Sequence, residues 1–161
     1  MQYDVVTIGG GFSGLVTACR AAELGLSVAV LEARDEDRYP CSSRYATGAA
    51  NVMGLPIMSE PDRLCAAIVN GSGRNANPAV ARALANNGKR AIAWLSQQGA
   101  QFTSRVLRHD QPGQQVLAPV RAETAGLDWE DRGADLLMRR LEQNLTQCGS
   151  VLMRADARCQ S

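Results

Sequence analysis

Residues 3–32, YDVVTIGGGFSGLVTACRAAELGLSVAVLE, decide the fold. Residues 3–8 are a short, β-branched apolar run bounded by glycines, which predicts a buried strand. Residues 12–24 predict a helix, and Gly25 after them is a typical C-terminal cap. Residues 27–32 predict a second buried strand. Strand, glycine turn, helix and strand together make a βαβ unit, whose crossover requires parallel strands and a right-handed connection.

Three glycines in the turn of this unit fit the dinucleotide-binding spacing G-x-G-x-x-G. Gly9 permits the tight turn, Gly11 lets the backbone approach a pyrophosphate, and Gly14 lets the helix pack close to the strand. The pyrophosphate then lies at the helix N-terminus, where free N–H groups favour an anion. Glu32 closes the second strand, where a carboxylate accepts hydrogen bonds from the adenosine ribose and disfavours a 2′-phosphate. The alternative is a glycine-rich turn beside a surface glutamate.

The fingerprint alone fits FAD or NAD, and the following segment favours FAD. An NAD domain continues after the second strand with another short helix and strand. Residues 33–60 are instead rich in Gly, Ser, Pro and Asn, which predicts a long ordered loop with a short helix near 47–53. This loop argues against an NAD-dependent dehydrogenase.

The loop also carries a family resemblance. Residues 41–51, CSSRYATGAAN, are similar to a stretch G-N-T/S-K/R-x-x-x-G-G-x-N. That stretch occurs in the flavoprotein subunits of the fumarate reductase and succinate dehydrogenase family, which includes tricarballylate dehydrogenase and aspartate oxidase. Residues 77–102 resemble the family's helix ending in W-L-x-x-x-G-x-x-F, and residues 129–148 its R-G-x-x-L helix. Pro40-Cys41 and Ala49 replace glycines of the family pattern.

The resemblance implies an α/β, Rossmann-like FAD/NAD(P)-binding three-layer fold with a parallel sheet, truncated before the capping domain. On this interpretation residues 1–161 are the N-terminal part of an FAD-binding domain. Residues 1–55 are the βαβ unit and flavin loop, residues 56–130 a helical insertion, and residues 131–161 a helix and returning strand. Within these segments, the sequence predicts helices at 61–70, 78–98 (with an interruption at Gly88) and 134–147, and a strand at 151–153.

The cofactor expected from the resemblance is noncovalent FAD, because Ser42 stands where succinate dehydrogenases have a flavin-bonding histidine. Ser42 and Ser43 would contact the phosphates and ribityl chain, and Thr47, Gly48 and Ala49 would lie near the flavin ring. The complete set of expected cofactor-binding residues is Gly9, Gly11, Phe12, Ser13, Gly14, Glu32, Ala33, Arg34, Ser42, Ser43, Thr47, Gly48 and Ala49.

The implied function is FAD binding within a dehydrogenase or reductase that acts on a small, carboxylate-bearing molecule. In the family the catalytic groups come from later sequence, so no catalytic residue is assigned and the chain alone is expected to be inactive. The electron-transfer partner is unknown. The alternative is a stand-alone nucleotide-binding module without redox activity.

Composition excludes several other classes. The formal net charge is +1, which argues against a nucleic-acid surface. No apolar stretch approaches the ~20 residues of a membrane span. The five cysteines contain no CxxC pair and His109 is the only histidine, so no metal site is predicted. Free thiols and the lack of a signal peptide favour the cytoplasm.

A few chemically capable residues are expected to be structural. We interpret Cys41 as a small side chain of the loop, and His109 and Asp110 as surface residues. We interpret Trp94 and Trp129 as aromatic residues of the core or of an interface. Arg132, before the last helix, reads equally well as an anion ligand or a solvated side chain.

Overall fold

The computed structural model describes residues 2–73, 75–105, 113–120 and 128–154. The elements, in chain order, are β1 (Val5–Ile8), α1 (Phe12–Glu23), β2 (Val28–Glu32), β3 (Ala49–Val52), β4 (Leu55–Pro56), α2 (Pro61–Gly71), α3 (Pro78–Gln97), β5 (Phe102–Arg105), β6 (Gln114–Leu117), α4 (Gly133–Gln147) and β7 (Val151–Arg154). The chain divides into two units, residues 1–46 with 123–161 and residues 47–122.

The first unit is built on a parallel sheet with the strand order β1-β2-β7. The register pairs Val5 with Val28 and Val30 with Leu152. Helices α1 and α4 contact each other and pack on this sheet, where they bury Leu15, Val28, Val30 and Leu141. The predicted βαβ unit, the last helix and the returning strand are therefore confirmed, and the mixed α/β fold with a parallel sheet is correct.

One face of this sheet exposes apolar side chains. Val6, Ile8, Leu31 and Val151 are 51%, 88%, 39% and 38% exposed. The register places Val6 and Val151 in line with Ala29, and Ile8 next to Leu31. Because side chains alternate along a strand, these residues share the face opposite Val28 and Val30.

The second unit combines an antiparallel sheet, of strand order β4-β3-β6-β5, with two helices. Residue pairs such as Ala49 with Val116 join β3 to β6. Helices α2 and α3 pack together, and their shared core holds Leu64, Cys65, Ala81 and Ala85. The helix start predicted at Asn77-Pro78 is confirmed, since the Asn77 side chain accepts hydrogen bonds from the first turn of α3.

Two local predictions were wrong. The expected short helix near 47–53 is a β-hairpin, in which Met53 and Gly54 both adopt positive φ between β3 and β4. Two such residues form the type I′ turn whose twist suits paired strands.

The expected interruption of α3 at Gly88 does not occur. An added Cβ there would lie 2.8 Å from Ile57 Cγ1, so this glycine permits close packing within a continuous helix.

Candidate nucleotide-binding site

Glycine is needed in the turn between β1 and α1 and again in the first turn of α1. Gly9 has φ +96°, a backbone conformation that favours glycine, and its N–H donates to Leu31 O at 2.7 Å. At Gly14, an added Cβ would overlap the carbonyl oxygen of Gly9. Gly14 therefore sets how closely α1 approaches the end of β1, as the fingerprint requires.

Helix α1 begins immediately after this turn, with Gly11 as its N-cap residue. Gly11 has no side chain with which to cap the helix, and Ser43 fulfils that role from the loop after β2. Ser43 Oγ accepts a hydrogen bond of 3.0 Å from Phe12 N. An added Cβ on Gly11 would lie 3.1 Å from the same Oγ. The loop is thus fastened to the end of the helix at which free N–H groups favour anions.

Glu32 is fixed at the end of β2 by two backbone N–H groups. Its Oε2 accepts a 2.7 Å hydrogen bond from Gly10 N, and its Oε1 accepts a 3.1 Å hydrogen bond from Arg34 N. The carboxylate is half-buried, and each of its oxygens retains a further lone pair. Ala33 and Arg34 are exposed beyond it. The glycine turn and the carboxylate therefore form one connected surface.

Tyr39 lies beneath the turn and was not predicted. Its side chain is fully buried, and its hydroxyl lies 2.6 Å from Gly10 O and 2.9 Å from Glu142 Oε1. Burial, followed by the nearby Glu142 charge, raises the pKa of Tyr39 far above its usual value. The hydroxyl is therefore protonated at neutral pH. The sequence around Tyr39 does not indicate these contacts, because Gly10 and Glu142 are 29 and 103 positions away along the chain.

Arg44, in the loop between β2 and β3, is also fully buried. It forms ion pairs with the buried Asp135 and, at 3.0 Å, with Glu142. Its guanidinium lies 4.9 Å from the ring centroid of Tyr39 and 5.6 Å from that of Trp129. Charges buried in this way are stable only when paired, so this cluster anchors the loop to α4.

The remaining predicted residues lie in both units. Ser13 is exposed in the first turn of α1, and Ser42 is exposed in the loop before Ser43. Thr47, Gly48 and Ala49 belong to the second unit. There, Leu117 N donates to Gly48 O at 3.1 Å, and Ala49 pairs with Val116 in the sheet.

The residues expected to be structural are placed as follows. Trp129 is buried and contacts Tyr45 edge-on, and Trp94 is half-buried. Cys41 Sγ lies 3.8 Å from Met138 Sδ, and Arg132 pairs with Asp128 at 2.9 Å. His109–Asp110 lies outside the described residues. Among the described residues, no group of three His, Cys, Asp or Glu side chains is arranged to hold a metal ion. No helix in the described ranges is long and apolar enough to cross a membrane.

Comparison with known proteins agrees with this geometry. Residues 4–156 match the family model described as an FAD binding domain. A stretch of 75 residues is 41% identical to digeranylgeranylglycerophospholipid reductase 2 of Methanothermobacter thermautotrophicus. That match covers 44% of this chain and 20% of the relative, so the chain spans only a small part of that curated protein.

Two solved structures have a similar fold. The 3-ketosteroid-Δ4-(5α)-dehydrogenase of Rhodococcus jostii RHA1 superposes with a TM-score of 0.71 at 17% identity. The match covers 94% of this chain and 37% of that one. Sdh1 of Mycobacterium smegmatis, in complex with UQ1, has a TM-score of 0.68 at 21% identity, with coverage of 94% and 27%.

Proposed function

The chain belongs to the family of FAD binding domains of flavin-dependent oxidoreductases, and from that premise we propose that its first unit holds the ADP half of a noncovalent FAD. The FAD supplies the redox chemistry, and the chain binds and orients it. We further propose that these residues are the N-terminal part of a dehydrogenase or reductase acting on a small, carboxylate-bearing molecule, as the tricarballylate dehydrogenase resemblance implies.

The contact between Gly10 and Glu32 carries the proposal. A dinucleotide needs its pyrophosphate beside a helix N-terminus and its ribose hydroxyls beside an acceptor. The 2.7 Å bond from Gly10 N to Glu32 Oε2 holds those two features next to each other. Glycine is also needed at positions 10 and 14 for the turn to pack, because side chains there would overlap Tyr39 and the Gly9 carbonyl.

Each predicted residue receives a role in this proposal. Peptide N–H groups at the start of α1 bind the pyrophosphate, and the Ser43 hydroxyl, which already accepts from Phe12 N, is available to donate to a phosphate oxygen. Glu32 accepts from the ribose hydroxyls. The residues assigned to the ADP half are Gly9, Gly11, Phe12, Ser13, Gly14, Glu32, Ala33, Arg34, Ser42 and Ser43; those assigned to the flavin ring are Thr47, Gly48 and Ala49.

The absorbance spectrum of the purified protein tests the cofactor directly, together with a titration of ADP followed by amide chemical shifts. We expect flavin bands, and ADP-dependent shifts at residues 9–14 and at Glu32. Shifts confined to other parts of the chain would refute the assignment of the turn.

A further inference from the structure

The peptide group of Gly10 is held from both sides. Its N–H donates to Glu32 Oε2 at 2.7 Å, and its carbonyl oxygen lies 2.6 Å from the Tyr39 hydroxyl. The middle glycine of the turn is therefore the residue through which Tyr39 acts on Glu32. A Cβ at position 10 would overlap the Tyr39 hydroxyl and lie 3.1 Å from Glu32 Oε2, so this three-part contact requires glycine.

The single proton of the Tyr39 hydroxyl is assigned to the hydrogen bond with Gly10 O, in the turn between β1 and α1. A phenol has one proton, and Gly10 O and Glu142 Oε1 both accept hydrogen bonds. Glu142 Oε1 has a second donor, because Arg44 Nη2 lies 3.0 Å from it. The carboxylate therefore stays hydrogen-bonded when the hydroxyl donates to Gly10, which is also the shorter contact.

The ring of Tyr39 has little freedom to leave this position. It is fully buried, and the Arg44 guanidinium lies 4.9 Å from its centroid. Arg44 is in turn paired with Asp135 and Glu142 on α4. Helix α4 thus supports Tyr39, and Tyr39 supports the Gly10 peptide.

We propose that Tyr39 is a positioning residue: through the Gly10 peptide, it holds the Glu32 carboxylate in the orientation that recognises the adenosine ribose. Without the hydroxyl, the Gly10 peptide rotates more freely and Glu32 loses its fixed donor. The inference rests on the proposed function, because it requires that Glu32 contact the ribose of a bound nucleotide.

The test compares ADP with 2′-deoxy-ADP, measured by amide shift titration on the purified protein. Charge-assisted hydrogen bonds are the strong ones, so we expect the wild type to prefer ADP by about 10-fold. In Tyr39→Phe we expect the preference to fall to about 2-fold, and hydrogen exchange at the Gly10 amide to accelerate. General loss of stability would weaken both ligands alike and leave their ratio unchanged.

One further variant keeps the test decisive. Leu145→Val disturbs the core of the same helix, so it should lower the melting temperature and leave the ratio at its wild-type value. A wild-type ratio in folded Tyr39→Phe would overturn the inference. Failure of the wild type to bind ADP would instead refute the proposed function.

Discussion

The backbone N–H of Gly10 donates to Glu32 Oε2 at 2.7 Å, which joins the glycine turn after β1 to the carboxylate at the end of β2. These two features are separate signals in the sequence. In the structure they share one hydrogen bond, so a change in the carboxylate also affects the turn.

The first prediction concerns that carboxylate. Glu32→Gln should weaken ADP binding by about 1–3 kcal/mol, the range for a charge-assisted hydrogen bond. It should also lower the melting temperature, because a Gln side chain has only one oxygen for the two N–H groups of Gly10 and Arg34. Calorimetric titration with ADP measures the affinity. Asp35→Asn, in the exposed loop that follows, is the control and should change neither quantity.

The second prediction separates two glycines of the turn. At Gly11 an added Cβ meets only the end of the Ser43 side chain, at 3.1 Å, so Gly11→Ala should fold and lose nucleotide binding. At Gly14 the Cβ overlaps the Gly9 carbonyl, so Gly14→Ala should lower stability by about 1–3 kcal/mol or more. Urea unfolding and ADP titration of both variants distinguish the effects. Equal ADP affinity in Gly11→Ala and the wild type would refute the pyrophosphate site.

Whether a feature of this structure can be predicted from the sequence depends on how far apart along the chain its interacting residues lie. The unit β1–α1–β2 follows from glycines and apolar runs that lie within 30 residues of each other. The hairpin at Met53-Gly54 was missed because its turn lacks the usual Asn-Gly, and its strand pairs Ala49 with the distant Val116. Tyr39 was missed because its partner in the turn is a backbone carbonyl, Gly10 O, which has no side-chain signal in the sequence.

The third prediction concerns the buried charges. Arg44→Met leaves Asp135 without one of its partners in the protein interior, and breaking a buried ion pair in this way costs about 3–5 kcal/mol. The surface pair of Arg82 with Asp62, at 2.5 Å, is the matched control. Arg82→Met should cost less than about 1 kcal/mol, because exposed pairs are screened by solvent. Comparable losses in thermal unfolding of the two variants would contradict the buried cluster.

The fourth prediction concerns how the flavin is attached. Ser42 has a hydroxyl in place of the imidazole that covalent attachment uses in the resembling succinate dehydrogenases. Flavin should therefore remain in the supernatant after acid precipitation of the protein. Yellow colour in the washed pellet would indicate a covalent bond, and Cys41→Ser would then test whether the neighbouring thiol forms it.

The last prediction concerns turnover by residues 1–161 alone. The pyrophosphate turn and Glu32 are present, so weak FAD binding is expected. The exposed apolar side chains of Ile8 and Val6, 88% and 51% accessible, favour aggregation at high protein concentration. The proposed function makes these residues the N-terminal part of a dehydrogenase or reductase and assigns no catalytic residue to them, so dye-coupled assays with fumarate and other dicarboxylates should give no rate above that of free flavin. Arg44 is fully buried in ion pairs, so it is not accessible to a substrate. A steady rate above that background would place a catalytic group within the chain; Arg132→Met and His109→Gln would then be the variants with which to find it.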